Sequence, residues 1–277
     1  MDLPEELIHA WNITVVPIHI HFGEQTYLDR QTIDEDTFYR LIEEAGEIPK
    51  TSQPSVGEFV EIYRELAQKA DALLSIHISA RLSGTHASAV QAAELVAQEI
   101  PVTVFDSWSG SAGLGFMALE AARMAHNGTS LSQAVERLKW MRQVMRIYLM
   151  LDNLRFAQMS GRVTFVQHMM ASMLRLKPIV TVRDGILEPV DRVRTRQRAL
   201  ERLVALVAEE YGHGPVHVAV VHARAPETAQ RLLALAQERL SLASHMVTPL
   251  STAVAVHLGP GTVGIVAYPA DQGGHTG

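Results

Sequence analysis

The 277 residues include no cysteine and have a net charge of −6, with hydrophobic residues making up 47% of the chain. The acidic balance argues against a generic nucleic-acid binder, and the missing cysteines exclude disulfides and thiolate chemistry. No apolar run approaches the roughly 20 residues that span a bilayer, and the acidic first residues do not resemble a signal peptide. We therefore expect a cytoplasmic protein without stable membrane insertion.

The first half alternates apolar, strand-like runs with helical patterns. Strands are predicted at 13–22, 72–79, 102–107 and 147–151, and helices at 34–46, 56–69, 85–98 and 111–126. Such alternation is typical of parallel βαβ units. We therefore expect an α/β domain over residues 1–155, with a parallel sheet flanked by helices.

The second half has a different pattern. The turn pair Asp184-Gly185 separates two strand-like runs within 178–195 and indicates a hairpin. Further helices are predicted at 196–211 and 226–240, and further strands at 216–223 and 261–269. A hairpin combined with helices predicts a mixed α/β sheet in a second domain over residues 156–270. The last residues, 271–277, are predicted to be a flexible tail.

A polar stretch precedes the helix predicted to begin at residue 56. Ser55 and Glu58 fit the capping box, in which each side chain bonds the backbone N–H of the other residue. That pattern leaves Thr51, Ser52 and Gln53 unexplained. They lie just upstream of a helix N-terminus, where free amides and the helix dipole favour an anion. The stretch is either a simple capping loop or one wall of an anion site.

Two further turns carry polar groups that suit an anion. Ser83 and Gly84 follow the strand predicted at 72–79, and ligands of open α/β sheets bind beyond the carboxyl ends of strands. Gly84 would let a ligand approach the backbone, and Ser83 would offer its hydroxyl. His257 precedes a Gly-Pro-Gly turn, either as a buried turn histidine or as a donor to an oxyanion. A polar helix cap remains the alternative for the Ser83 turn.

Three other patterns, of glycines, histidines and arginines, are weaker indications of a binding site. Gly113 and Gly115 loosely match a dinucleotide fingerprint but come too far after the strand, which leaves a nucleotide-binding module as a weak alternative. His19 and His21 share one strand face without a neighbouring Cys, Asp or Glu that completes a ligand set, so we expect no metal site. A series of arginines in the second half forms a local basic patch. It is either a solvated face or a docking surface for an acidic partner or a phosphate.

Seven motifs follow one another along the chain in the order TSQPS, LSGTxxSA, DSxSxSxGxG, GR, KPIV, RVRTRxxAL and HxGPGTxG. With this ordered set, the chain resembles the DegV family of bacterial fatty-acid-binding proteins, the carrier subunits of fatty acid kinase. The resemblance runs from Asp2 to about Tyr268. It implies two α/β domains with one fatty acid in an apolar tunnel between them. Family members usually begin with a strand and a TDSTADLP loop, whereas this chain starts at Met-Asp-Leu-Pro, so we expect an open edge in the first sheet.

The resemblance also implies which residues bind the carboxylate. In the family, the fatty-acid carboxylate is held by a threonine of TSQPS, by the serine of the Ser-Gly turn and by the histidine before Gly-Pro-Gly. These correspond here to Thr51, Ser83 and His257, with Ser52 and Gly84 as neighbours in the same site.

The resemblance implies a function and a partner as well. Arg162, Arg194 and Arg196 match positions tied to engagement of the kinase. The leading hypothesis is a non-catalytic carrier that binds a long-chain fatty acid such as palmitate, stearate or oleate. It would present the carboxylate to the catalytic subunit of fatty acid kinase for acyl-phosphate formation, without a cofactor, a metal or a nucleic-acid partner. The alternative is a small-molecule hydrolase or transferase that uses Ser83 or Thr51 as nucleophile with His257.

Overall fold

The computed structural model describes residues 1–152, 154–161 and 176–270. Two expectations fall outside these residues, namely the role of Arg162 and the tail at 271–277. The described helices are α1 (Glu5–Ala10), α2 (Glu35–Ala45), α3 (Val56–Ala67), α4 (Thr85–Leu95), α5 (Ser111–His126), α6 (Leu131–Val144), α7 (Leu154–Ser160), α8 (Arg196–Tyr211), α9 (Pro226–Arg239) and α10 (Thr252–Leu258). The described strands are β1 (His19–Phe22), β2 (Gln25–Leu28), β3 (Lys50–Ser52), β4 (Leu73–His77), β5 (Val102–Asp106), β6 (Arg146–Met150), β7 (Lys177–Arg183), β8 (Ile186–Val193), β9 (Val216–His222), β10 (Leu242–Pro249) and β11 (Val263–Pro269).

Six strands form the larger sheet, in the order β10-β9-β11-β6-β7-β8. β9 and β10 run parallel and the other neighbours antiparallel, so this is the mixed sheet that the sequence predicts. β7 and β8 pair across the Asp184-Gly185 turn, which confirms the hairpin. β6 precedes the predicted domain boundary at residue 155 and pairs with β11 and β7 in this sheet. The boundary itself stays a prediction.

Both faces of the larger sheet are covered, because side chains alternate across a strand. Val218 and Val220 of β9 pack with the apolar faces of α8 and α9. Ala219 and Val221 of the same strand point to the opposite face, into the cluster that contains Met117 of α5 and residues of α6. The chain is therefore an α/β protein whose central sheet lies between two helical layers.

Two smaller sheets contain the other strands of the first half. β4 and β5 form the parallel pair that the strand–helix alternation predicts, and α3 and α4 cover it through Phe59, Tyr63 and Ala89. β1, β2 and β3 form an antiparallel sheet in the order β2-β1-β3. The strand predicted at 13–22 is shorter than expected, since only His19–Phe22 has ladder partners. A β-branched composition favours a strand but does not by itself supply the neighbouring backbone.

The capping box predicted at Ser55 and Glu58 is confirmed, and two further helix ends also follow short-range rules. Ser55 accepts from the Glu58 N–H, and Glu58 accepts from the Ser55 N–H at 2.7 Å, as the capping box predicts. Gly46 ends α2 in the left-handed conformation at φ 67°, where glycine has no steric penalty. Thr195 caps α8 by accepting from the Arg198 N–H. The ends of these helices therefore follow from short-range chemistry.

Candidate functional site

A cavity of 1110 Å³ lies where the small antiparallel sheet, β4, α5, α10 and the larger sheet meet. Most of the surface that faces the cavity is apolar, and it includes Leu114, Ile147, Leu149, Val182 and Leu187. At one part of the wall, hydroxyl and imidazole groups replace the apolar side chains. These polar lining residues are Thr51, Ser52, Gln53, Ser83, Thr85 and His257. The cavity thus offers apolar surface together with a cluster of hydrogen-bonding groups.

Thr51 and His257 meet in this polar cluster. Thr51 lies on β3 and pairs with Ile20 of β1, and His257 lies in the last turn of α10. The Thr51 Oγ1 atom is 3.3 Å from His257 Nε2. Two of the three residues that the family resemblance places at the carboxylate are therefore in contact.

The start of α10 is held by a buried carboxylate that no sequence pattern indicates. Asp29 Oδ1 accepts from the Thr252 hydroxyl at 2.6 Å and from the Ala253 N–H at 3.4 Å. The other end of α10 stops at Gly259, which has φ 81°. Because α10 has only seven residues, these end contacts determine where His257 lies.

A second buried carboxylate joins two helices that line the cavity. Asp2 is fully buried, and it accepts from the Ser111 hydroxyl at 2.6 Å and from the Ser251 N–H at 3.0 Å. Arg30 lies 3.6 Å from the same carboxylate. Ser111 begins α5, and Ser251 precedes α10. Asp2 therefore ties the wall formed by α5 to the helix that carries His257.

The Ser83 turn contributes to the same wall. The Ser83 hydroxyl lies 2.8 Å from Thr85 Oγ1 and accepts from the N–H of Thr85, the first residue of α4. Gly84 is approached by the side chain of Gln53, since a Cβ at Gly84 would lie 3.0 Å from Gln53 Cδ. Gln53, unexplained by the capping box, therefore packs the loop after β3 onto the Ser83 turn. A role for Gly84 towards a ligand stays a prediction.

Ser52 lines the cavity while its hydroxyl contacts a histidine of the neighbouring strand. His21 Nε2 is 2.8 Å from Ser52 Oγ, and His21 Nδ1 is 2.9 Å from Thr26 Oγ1. His19 instead pairs with Glu58 at 2.8 Å. Within residues 1–152, 154–161 and 176–270, no group of three or more His, Cys, Asp or Glu side chains is arranged to hold a metal ion. Both histidines thus have contacts within the small sheet and with α3.

A family model described as "Uncharacterised protein, DegV family" matches residues 1–270. The chain belongs to the DegV family. It is 33% identical to Protein DegV of Bacillus subtilis over 265 residues, which cover 95% of this chain and 94% of the relative. Solved structures that are similar along nearly the whole chain include the following two.

The first structure is a DegV-family protein from Thermus thermophilus, described as binding fatty acid. It has a TM-score of 0.90 and 30% identity, covering 97% of this chain and 96% of the other. The second is DegV from Bacillus subtilis, described as a fatty acid binding protein. It has a TM-score of 0.86 and 32% identity, covering 97% and 96% of the two chains. The α/β fold of this DegV-family chain is therefore that of known family members.

A partly buried polar chain crosses another part of the cavity wall in this DegV-family member. Tyr63 Oη lies 2.8 Å from Ser75 Oγ, and Ser75 Oγ lies 2.7 Å from His77 Nε2. Burial, together with the nearby His86, lowers the pKa of His77 to about 4. The imidazole is therefore neutral at pH 7. The sequence did not single out these residues, because their types at alternate strand positions are not distinctive.

The predicted docking arginines differ in their surroundings. Arg194 is exposed in the segment between β8 and α8. Arg196 is also exposed, but its Nη2 lies 3.0 Å from Asp152 Oδ1, and Lys177 Nζ lies 2.6 Å from the same oxygen. Burial alone would raise the pKa of Asp152, but the contacts with Lys177 and Arg196 outweigh it and lower the pKa. Asp152 is therefore a carboxylate held by two cations.

Among the helices of the described chain, none combines the length and the apolar character needed to cross a membrane.

Proposed function

We propose that this chain binds one long-chain fatty acid in the cavity, with the carboxylate at Thr51, Ser83 and His257. The observation that carries the proposal is the cluster of hydroxyls and imidazole in the wall of a largely apolar cavity of 1110 Å³. The two similar structures described as fatty acid binding support it. Ser52 and Gly84 are the neighbours that complete the predicted carboxylate site.

The chemistry of the lining suits such a ligand. A carboxylate accepts from hydroxyls and from an imidazole N–H, and charge-assisted hydrogen bonds contribute about 1.5–3 kcal/mol each. The acyl chain gains about 0.8 kcal/mol for each CH₂ that leaves water. Most of the affinity would therefore come from the chain, while the polar cluster fixes its orientation. Palmitate, stearate and oleate are the expected ligands.

We further propose that the chain is a non-catalytic carrier and presents the bound carboxylate to the catalytic subunit of fatty acid kinase. Arg162, Arg194 and Arg196 would dock that partner. The exposure of Arg194 and Arg196 at the start of α8 supports this, because a guanidinium on the surface can pair with carboxylates of a partner. Binding and docking would then use different residues of the same chain.

The test of binding is native mass spectrometry of protein purified without detergent. We expect an adduct that denaturation releases as a C14–C18 fatty acid. If no lipid is found and the protein takes up none on incubation with palmitate, stearate or oleate, the binding proposal is wrong. The carrier proposal is then tested by supplying the loaded protein, a fatty acid kinase catalytic subunit and labelled ATP, and by measuring acyl-phosphate formation.

A hydrolase or transferase is the second candidate, because the Thr51 hydroxyl lies 3.3 Å from an imidazole nitrogen. A hydroxyl in contact with a histidine is the first requirement for nucleophilic catalysis. Incubation with p-nitrophenyl palmitate separates the two functions. Turnover that Thr51→Ala and His257→Ala abolish would favour the enzyme, whereas stoichiometric binding without release of p-nitrophenol would favour the carrier.

A further inference from the structure

Asp152 lies between a predicted docking residue and the turn that follows His257. On one side its Oδ1 is 3.0 Å from Nη2 of Arg196, whose side chain is 43% exposed. On the other side the backbone of Gly261 passes directly over the carboxyl group. A Cβ at Gly261 would lie 2.8 Å from Asp152 Cβ and 2.9 Å from Asp152 Oδ2. The same carboxylate thus contacts the surface arginine and the turn.

The turn at residues 259–261 is packed closely against its neighbours. Gly261 donates its N–H to the Ala223 carbonyl at 2.8 Å and has φ 80°. At the other end of the turn, a Cβ on Gly259 would lie 2.9 Å from the Phe156 ring. Tightly packed segments move as units and do not deform gradually. A shift of Asp152 would therefore displace the turn and the end of α10 that carries His257.

We propose that Asp152 is a positioning residue that couples Arg196 to the carboxylate site through the turn at residues 259–261. An acidic group on the partner surface competes with Asp152 for Arg196. When Arg196 leaves, Asp152 keeps its ion pair with Lys177 but loses one of its two cationic contacts. It then supports the turn less firmly, so docking weakens the hold on the fatty-acid carboxylate. This inference rests on the proposed function and adds to it a route from the docking surface to the ligand.

The chain contains a matched ion pair that serves as a control. Arg202 also lies on α8, and its Nε is 2.8 Å from Oδ2 of Asp191 on β8. Asp191 and Asp152 are similarly exposed, at 36% and 25% of their side chains. Neither Arg202 nor Asp191 lines the cavity. Breaking this pair therefore imitates the loss of a salt bridge on α8 without touching the turn.

The experiment measures the dissociation constant of a fluorescent C16 fatty acid for the wild-type chain and for two double-mutant cycles. One cycle combines Arg196→Ala with Asp152→Asn, and the control cycle combines Arg202→Ala with Asp191→Asn. We expect Arg196→Ala and Asp152→Asn each to weaken binding about fivefold, which is the lower end of common coupling between sites. The double variant should bind no more weakly than either single variant, because both changes break one connection. Asp191→Asn, Arg202→Ala and their combination should stay within about twofold of wild type.

A second readout separates positioning from general destabilisation. In the Arg196→Ala variant, hydrogen exchange at the amide of Gly261 should become faster, while Arg202→Ala should leave that amide unchanged. Because Asp152→Asn could fail to fold, the contrast between Arg196→Ala and Arg202→Ala decides the question without it. Equal effects of the two arginine changes on affinity and exchange would overturn the coupling. A wild-type chain that binds no fatty acid would instead overturn the proposed function together with the coupling. Failure of the coupling alone and failure of the proposed function therefore give different results.

Discussion

Thr51 and His257 are separated by 206 residues in the chain, yet Oγ1 of the one lies 3.3 Å from Nε2 of the other. Thr51 is held by the ladder between β3 and β1, and His257 by the short helix α10. The contact joins the small antiparallel sheet to an element that packs near the larger sheet. A ligand bound at this contact would therefore be sensitive to the relative placement of both parts.

The contact leads to a direct prediction for Thr51. Thr51→Ala should weaken binding of palmitate about tenfold or more, because a charge-assisted hydrogen bond from the hydroxyl is lost. The measurement is isothermal titration calorimetry with palmitate. The control is Thr103→Ala on β5, which removes a threonine hydroxyl that does not line the cavity. Unchanged affinity in the Thr51 variant would place the carboxylate elsewhere.

A second prediction concerns Asp29, which accepts from the Thr252 hydroxyl and the Ala253 N–H at the start of α10. Asp29→Ala should lower the free energy of unfolding by about 1 kcal/mol or more, as expected for the loss of a helix cap. It should also weaken fatty-acid binding, since His257 at the other end of α10 loses its fixed position. Urea denaturation and palmitate titration measure the two effects.

Asp34 provides the matched control for Asp29. It caps α2 by accepting from the Thr37 N–H at 2.7 Å and does not line the cavity. Asp34→Ala should therefore destabilise the protein while leaving the palmitate affinity unchanged. If both cap variants lose affinity in proportion to their stability, Asp29 has no particular role in placing His257.

The structural features that could be predicted from the sequence are those that depend on residues close together in the chain. The capping box at Ser55 and the Asp184-Gly185 hairpin are two such features. Such signals determine where a helix or hairpin begins and ends. They do not determine which elements meet in space.

The site could be predicted from the residues only in part. β3 has three residues and α10 has seven, so neither is long enough to show a clear periodic pattern. The proximity of Thr51 and His257 was expected only from resemblance to a family. Asp2 and Asp29 gave no signal, because their partners on or beside α10 lie 249 and 223 residues away. Long-range hydrogen bonds of this kind depend on the completed fold.

A third prediction tests the proposed docking surface. Arg194→Ala should leave palmitate binding unchanged and impair phosphorylation of the bound acid by fatty acid kinase, because Arg194 is exposed and does not line the cavity. Arg162→Ala should behave in the same way. The measurement is the rate of acyl-phosphate formation as a function of carrier concentration. A raised KM with little change in kcat would identify a docking defect.

The control for Arg194 is Arg239→Ala, which removes another exposed arginine, in the last turn of α9. Both variants change the net charge by the same amount, so any general loss of electrostatic attraction should affect them alike. Loss of lipid binding in the Arg194 variant, or equal impairment of both variants, would show that the docking role is wrong.

The last prediction concerns pH and His77. Burial lowers the pKa of His77 to about 4 in the folded chain, whereas an unfolded histidine titrates near its ordinary value of 6.5. Between these values the unfolded state binds more protons than the folded state, so this group makes stability rise with pH across that window. The contribution is fully present above pH 6.5 and is lost as the pH falls towards 4. It is on the order of 3 kcal/mol, since one pKa unit corresponds to about 1.4 kcal/mol.

His77→Gln removes this titration while keeping a polar side chain next to Ser75. Urea denaturation at several pH values between 4 and 7 should therefore show a flatter dependence for the variant than for wild type. His9→Gln, which changes an exposed histidine of α1, should leave the wild-type slope intact. Equal slopes for wild type and His77→Gln would mean that the pKa of His77 is the same in the folded and the unfolded chain. The lowering of this pKa by burial in the cavity wall would then be wrong.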